Sequence, residues 1–298
     1  MTLSDALKAT ERSLRIAALR AAGRAASTVA PARTAESIAR RFFTTMRPAL
    51  ERQQFRGIKP RVGVLEVPDG KVTTYQWGNA ESPTVLLAHG WNGWAQQMEA
   101  FVAPLIDRGF AVLAFDHVAH GHSDGETSSL PAMIRSTEKV MDATPDLVGG
   151  VAHSLGAAAL ALALASSRRQ LAGAVLIAPP SDPRPYLFGL ARMLGAPERL
   201  LPAIQQQAEA TAGIAMERLV MRPWIARRIR TPLLVAHDVG DDDVPIANGY
   251  AYTMGTGARL IATDGLGHRR ILRDRHVVDS AVNFVGRGVR AGGLALAA

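Results

Sequence analysis

The chain of 298 residues contains no cysteine. That excludes disulfides, thiol nucleophiles, iron–sulfur clusters and cysteine-ligated zinc. It also lacks any uninterrupted apolar run of the roughly 18 residues that a membrane-crossing helix needs. Lysine is scarce, with 4 against 30 arginines, a bias that reads as GC-rich coding rather than selection for phosphate contacts. Charge is modest at 20% of residues and hydrophobic residues make up 48%, an ordinary globular balance that rules out wholesale disorder. A chain of this length has room for one large α/β domain or two small ones with a sizeable core.

The net charge of +8 is unevenly placed. Residues 1–60 hold 12 basic and 4 acidic residues, whereas the remainder holds 22 of each. A nucleic-acid enzyme is expected to concentrate positive charge around its working site. Here the body is neutral, so no nucleic-acid partner is expected. The basic segment itself, residues 1–56, reads as helical. Leu3, Leu7, Leu14, Ala18, Ala21 and Ala25 recur at mostly three- and four-residue spacing with Arg12, Arg15, Arg20 and Arg24 between them, and Pro31 and Pro48 punctuate it. Charges interrupt it too often for a signal peptide, and Asp5 and Glu11 argue against a transit peptide, so a cytoplasmic protein is expected. The favoured reading of residues 1–60 is a helical arm packed along the domain with its arginines solvated. Weak docking of residues 1–56 on a membrane surface is the alternative.

From residue 61 the period changes. Arg61–Val67 and Lys71–Trp77 are β-rich runs joined by Pro68-Asp69-Gly70, a hairpin signal. Short apolar runs then alternate with helical stretches: Thr84–Ala88, Phe110–Phe115, Leu147–Ala152, Gly173–Ala178, Leu233–Ala236 and Arg259–Ala262. That pattern predicts a mostly parallel, doubly wound sheet covered on both faces, with the strands' C-terminal ends along one edge. The core is expected over 61–180 and 231–288. Residues 181–230 have helical composition without a strand and read as an inserted cap, and residues 289–298 as an Ala/Gly-rich tail.

Ala152-His153-Ser154-Leu155-Gly156 joins a strand directly to an Ala/Leu-rich helix. Small residues two before and two after the serine are what a strained strand-to-helix turn requires, and the helix N-terminus favours negative charge there. An ordinary serine N-cap is the competing reading. Three further strand ends carry polar residues. His89-Gly90-Trp91 makes a sharp turn whose N–H is placed to complete an oxyanion hole. Asp238-Val-Gly-Asp241-Asp-Asp-Val-Pro245 is an acidic loop, and Gly265-Leu-Gly-His268 supplies a histidine.

Serine, acid and histidine after successive strands, in that order, resemble the α/β-hydrolase family over roughly residues 61–288. The resemblance implies Ser154 as nucleophile, His268 as general base and Asp241 as the acid that orients it. It implies an oxyanion hole from the backbone N–H groups of Trp91 and Leu155. The stretch Asp116, His120, Gly121, Ser123 is similar to the loop that family places after its fourth strand. Asp241 is preferred as the acid because it stands four before Pro245; Asp238, Asp242, Asp243 and Asp182 are the alternatives.

His120-Gly-His122-Ser-Asp124 opens like a dinuclear metal motif, but Gly125 stands where a further histidine is needed, so no metal and no other cofactor is expected. His153 and His89 read as packing or hydrogen-bonding residues. Trp91, Trp94 and Met98 are candidates to line an apolar acyl pocket, as are Leu187, Phe188, Met193, Met216, Met221 and Trp224 in the helical insertion. The expected activity is hydrolysis of a carboxylic ester or thioester of a small to medium apolar acid, a small-molecule substrate. An acyltransferase on the same triad and a non-turnover ligand-binding member of the fold are the alternatives. Oligomeric state is not legible.

Overall fold

The computed structural model describes residues 3–47, 54–254 and 256–291. The chain divides into two compact units, one formed by Met1–Thr44 with Asp182–Val220 and the other by Thr45–Ser181 with Met221–Ala298.

The larger unit is built on an eight-stranded sheet. Its strands are β1 (Arg61–Val67), β2 (Gly70–Trp77), β3 (Thr84–Ala88), β4 (Ala111–Phe115), β5 (Leu147–His153), β6 (Gly173–Ile177), β7 (Leu233–Asp238) and β8 (Arg259–Thr263). They lie in the order β1-β2-β4-β3-β5-β6-β7-β8. Only β2 runs against its neighbours, pairing antiparallel with β1 and β4, and β3 to β8 are all parallel. The five adjacent strands from β4 to β7 in this order are buried along their whole length, which is why they read as unbroken apolar runs instead of alternating ones. The chain leaves β3 to one side for β4 and returns on the other side as β5. The strand order therefore reverses at β3, and in open α/β sheets the C-terminal edge at such a reversal is where ligands bind. A mostly parallel sheet of this order with flanking helices is the α/β-hydrolase architecture.

The helical unit begins with α1 (Leu3–Val29) and α2 (Pro31–Phe43). Between β3 and β6 the larger unit adds α3 (Val102–Ile106), α4 (Leu130–Asp142) and α5 (Ser154–Ser166). The helical unit resumes with α6 (Arg184–Met193) and α7 (Leu201–Ala212). The larger unit then continues through α8 (Pro223–Ala226), α9 (Ala247–Thr253), α10 (Gly267–Arg270) and α11 (Arg275–Ala291). Helix α5 is apolar around its whole circumference, and Gly156 to Ala165 are all buried, as a central helix requires. Helix α11 turns a valine stripe (Val277, Val278, Val282, Val285, Val289) into the same core as Phe101, Leu105 and Val175.

The helical unit has its own core. Ala35, Ile38, Ala39 and Phe43 of α2 pack with Leu187 and Ala191 of α6 and Leu201, Ile204 and Ala208 of α7. This differs from the expected separation of an arm over 1–60 from a cap over 181–230. The apolar spacing read over residues 3–25 lies on α1, whereas the seam joining the two segments is made by α2, through Ala35, Ile38, Ala39 and Phe43. Residues 45–47 and 54–60 fall with the larger unit instead. Helix stops at Phe43, short of residue 56, and Pro48 lies outside the described residues. Much of α1 is solvated, with Leu14 67% and Leu19 47% exposed. The tail also differs, because α11 runs to Ala291; residues 292–298 lie outside the described residues. Among the described residues no helix is long and apolar enough to cross a membrane.

Candidate active site

Strand β5 delivers His153 and turns at Ser154, whose φ of +52° is left-handed, a conformation that costs a residue with a Cβ about 1–2 kcal/mol. The turn puts Ser154 at the first position of α5 with Leu155 next, where backbone N–H groups have no acceptor within the helix. Gly156 has to be glycine, because a Cβ there would stand 2.1 Å from the His89 carbonyl oxygen. Position 152 accepts alanine, which is fully buried.

Strand β3 delivers the facing turn. Gly93 N–H donates to Gly90 C=O at 3.0 Å, and Asn92 at φ +54° forms its corner. A Cβ on Gly90 would lie 2.7 Å from Ser154 Cβ, so glycine is what lets this turn approach Ser154. Asn92 Oδ1 accepts the Met46 N–H at 2.8 Å. The side chain of His89 points beneath the turn. It is bonded to Gly90 C=O at 2.7 Å through Nδ1, and its Nε2 accepts the His117 N–H at 3.0 Å. Burial pushes its pKa down to about 4, so the ring is neutral.

Asp241 and His268 arrive from the segments that follow β7 and β8. His268 Nδ1 lies 2.7 Å from Asp241 Oδ2, and its Nε2 lies 2.9 Å from Ser154 Oγ. A carboxylate only accepts, so Nδ1 carries the proton and Nε2 is free to accept from the serine hydroxyl. The Asp241 side chain is fully buried and that of His268 is 11% exposed. Asp241 Oδ1 accepts N–H groups from Asp243 at 3.0 Å and Val244 at 2.8 Å. Burial pulls the Asp241 pKa upward, but the bonds from His268 and Val244 and the electrostatic influence of the neighbouring His268 and His237 rings outweigh it and hold the group below the ordinary carboxylate range.

The alternative acids are occupied elsewhere. Asp182 pairs with Arg184 at 2.5 Å. Asp242 and Asp243 are exposed. Asp238 is fully buried and accepts Gly240 N–H on one oxygen, with Thr263 O–H and Leu266 N–H on the other. Burial raises its pKa, yet these bonds win and the net shift is downward.

The remaining expected residues separate into support and core. His153 Nε2 lies 2.8 Å from the His268 carbonyl oxygen and its ring centroid 4.6 Å from that of His268. Burial pushes its pKa to about 3, so it donates as a neutral ring. Asp116 is buried and accepts from Tyr75 O–H, Ala95 N–H and His122 N–H. A Cβ on Gly121 would collide with that carboxylate at 2.1 Å. This loop therefore braces the turn after β3 from below. Trp91 meets His120 edge-on at 5.1 Å, and Trp94 is half-buried with its N–H on Gln96. Met98 is a correction: it is wholly buried in the sheet core beside Phe101 and Leu105, so its side chain packs the core and is closed to substrate. Leu187 and Met216 are buried in the core of the helical unit with Phe188 packed against it, Met193 is 48% exposed, and Trp224 is 61% exposed beneath the Arg222 guanidinium. His120, His122 and Asp124 do not converge, and among the described residues no three metal-ligating side chains are placed to hold an ion.

One support had no signal in the sequence. Arg47 donates to the carbonyls of Ala119 at 3.3 Å, Ser123 at 2.7 Å and Gly125, while Thr45 donates to Ala119 at 2.6 Å. Together they strap the loop under Trp91 in place. In the sequence Arg47 is one of many arginines.

No curated protein matches the chain by sequence. Among solved structures it is similar to Est1E from Butyrivibrio proteoclasticus with ferulic acid bound, at TM-score 0.61 and 17% identity over 76% of this chain and 99% of that one. An esterase from Pyrococcus furiosus gives TM-score 0.59 and 20% identity over 84% and 97%. The thioesterase domain from the curacin biosynthetic pathway gives TM-score 0.56 and 18% over 76% and 99%. At these identities the likeness establishes the fold. The sequence profile of the family described as serine aminopeptidase, S33, matches residues 80–240, more than half of the chain and the span from the strand before the Gly90 turn to the start of the acid loop. The chain belongs to that family of α/β hydrolases, and is a hydrolase by fold and family.

Proposed function

We propose that the protein hydrolyses a carboxylic ester or thioester of a small to medium apolar acid through an acyl-enzyme on Ser154. The unbroken chain Ser154 Oγ–His268 Nε2, His268 Nδ1–Asp241 Oδ2, at 2.9 and 2.7 Å, carries the reading. His268 takes the hydroxyl proton as Oγ attacks the acyl carbon, and Asp241 stabilises the imidazolium that forms. The carbonyl oxygen, now negative, is received by the N–H groups of Leu155 and Trp91. His268 returns the proton to the departing alcohol or thiol. Water then attacks the acyl-serine with His268 again as base, releasing the carboxylic acid and restoring Ser154.

The family description names peptidases, so amide substrates belong in the same test. p-Nitrophenyl esters of increasing acyl length and aminoacyl p-nitroanilides are run on wild type and Ser154→Ala. The expected result is serine-dependent turnover of the esters with an optimum at short to medium chains, and slower anilide cleavage. Ester turnover that survives Ser154→Ala in a clean preparation contradicts the reading. Added alcohol separates hydrolysis from acyl transfer: acid remains the main product here, whereas an acyltransferase gives the new ester.

A further inference from the structure

His268 is carried on Gly265-Leu266-Gly267, a segment with little stiffness of its own. Gly265 and Gly267 sit at φ +77° and +62° with open space around both. Besides His153 on the His268 carbonyl and Arg270 on the Gly265 carbonyl, a carboxylate on the neighbouring strand holds this segment. Asp238 and Thr263 are register partners at the ends of β7 and β8. Asp238 Oδ2 accepts the Thr263 hydroxyl at 2.8 Å and the Leu266 N–H at 3.0 Å, two residues before His268. Its Oδ1 accepts the Gly240 N–H at 3.0 Å, one residue before Asp241. Its own carbonyl accepts the Asp241 N–H at 3.3 Å.

We infer that Asp238 is a positioning residue that sets the distance between Asp241 and His268 by holding both loops at once. The inference rests on the triad reading proposed above. The Gly240 and Leu266 N–H groups, which can only donate, meet one oxygen each of this buried side chain, and the Thr263 hydroxyl joins Leu266, so an ionised carboxylate satisfies all three. An amide has to turn its NH2 either toward the Gly240 N–H or toward Thr263 and Leu266, and one loop is released. A shift of the His268 segment by about 1 Å lengthens both of its bonds, and misplacement of that size costs on the order of 10²-fold in rate.

The test compares full-length wild type, Asp238→Asn, Thr263→Val and Ser154→Ala on one p-nitrophenyl ester. It reads kcat and KM separately, together with the low-field proton resonance of the His268 Nδ1–H bond. Asp238→Asn is expected to lose about 10²-fold in kcat with KM changed by less than about threefold. The low-field resonance is expected to broaden or vanish. A wild-type kcat with an unchanged resonance overturns the inference, whether or not thermal stability has fallen. Should Asp238→Asn fail to fold, Thr263→Val carries the test alone. It removes one donor and leaves the Leu266 bond, so a kcat drop of about threefold to tenfold with a broadened resonance supports the clamp, and wild-type values for both overturn it. Turnover surviving in Ser154→Ala identifies a failure of the triad reading; a dead Ser154→Ala beside an unaffected Asp238→Asn condemns the clamp only.

Discussion

Replacing Asp241 by asparagine separates the hydrogen-bond account from a merely electrostatic one. In the wild type Oδ1 accepts two N–H groups, from Asp243 and Val244, and Oδ2 accepts the His268 Nδ1–H at 2.7 Å. The amide oxygen of asparagine belongs where the two N–H donors are, which turns its NH2 toward Nδ1. Nδ1 must then accept, the ring proton moves to Nε2, and the atom 2.9 Å from Ser154 Oγ is no longer a base. The opposite amide orientation preserves the working tautomer but aims NH2 at two N–H groups in a buried site, at about 1–3 kcal/mol for each unsatisfied donor. The active orientation is therefore rare, and kcat falls between about 10²- and 10⁴-fold. KM changes little, because Asp241 touches no substrate in this scheme. Stopped-flow acylation by p-nitrophenyl acetate measures the step itself. Acylation within about tenfold of wild type refutes the tautomer argument and moves the orienting role away from Asp241.

The scaffold makes further predictions. Gly156→Ala pushes a Cβ to within 2.1 Å of the His89 carbonyl, a backbone atom that cannot swing aside. It is expected to cost about 3 kcal/mol, read as a Tm lower by roughly 6–12 °C, with nucleophile reactivity lost in parallel; a wild-type melting curve contradicts the packing of the elbow on β3. His153→Phe keeps a ring against His268 but removes the donor to its carbonyl, and kcat is expected to drop about tenfold, whereas unchanged kcat returns His153 to packing alone. Acid stability follows the buried histidines. Burial lowers His89 to about 4 and His120 to about 3, below the value of about 6.5 they regain on unfolding. The unfolded chain thus binds more protons, and stability is full above about pH 6.5 and drains away as the pH falls toward 4. For His89 the loss is on the order of 3 kcal/mol, and denaturant melts between pH 7 and 4.5 should show it; a flat profile contradicts neutral burial.

Much of the site is visible in the sequence because each component leaves a local signature. Strands β3 to β8 are nearly continuous apolar runs, and Ser154, Asp241 and His268 each follow one of them closely, so order along the chain becomes proximity at one sheet edge. Gly90, Gly156 and Gly121 mark places where the Ser154 Cβ, the His89 carbonyl and the Asp116 carboxylate respectively come too close for a side chain. Local pattern fails where the cause is tertiary. Met98 resembles a pocket residue only because apolar character does not say which side of a helical turn faces inward. The apolar face of α2 meets α7, which lies more than 150 residues away, so local spacing does not join the arm to the insertion. The three carbonyls that Arg47 binds are made available by positive-φ turns at Ala119, Gly121 and Gly125, a geometry that no spacing of arginines announces. Asp238 was legible as a carboxylate in the acid loop. Its role was not, because its partners Thr263 and Leu266 come from the next strand and the loop beyond it.

The central claim is that an acyl group rests covalently on Ser154 during turnover. Wild-type protein mixed with a p-nitrophenyl ester and quenched in acid within the burst phase should gain the mass of one acyl group. Peptide mapping should locate that group on the segment containing Ser154, and Ser154→Ala should gain none. Turnover of the ester with no acylated protein, or an acyl group mapped to another residue, contradicts the account.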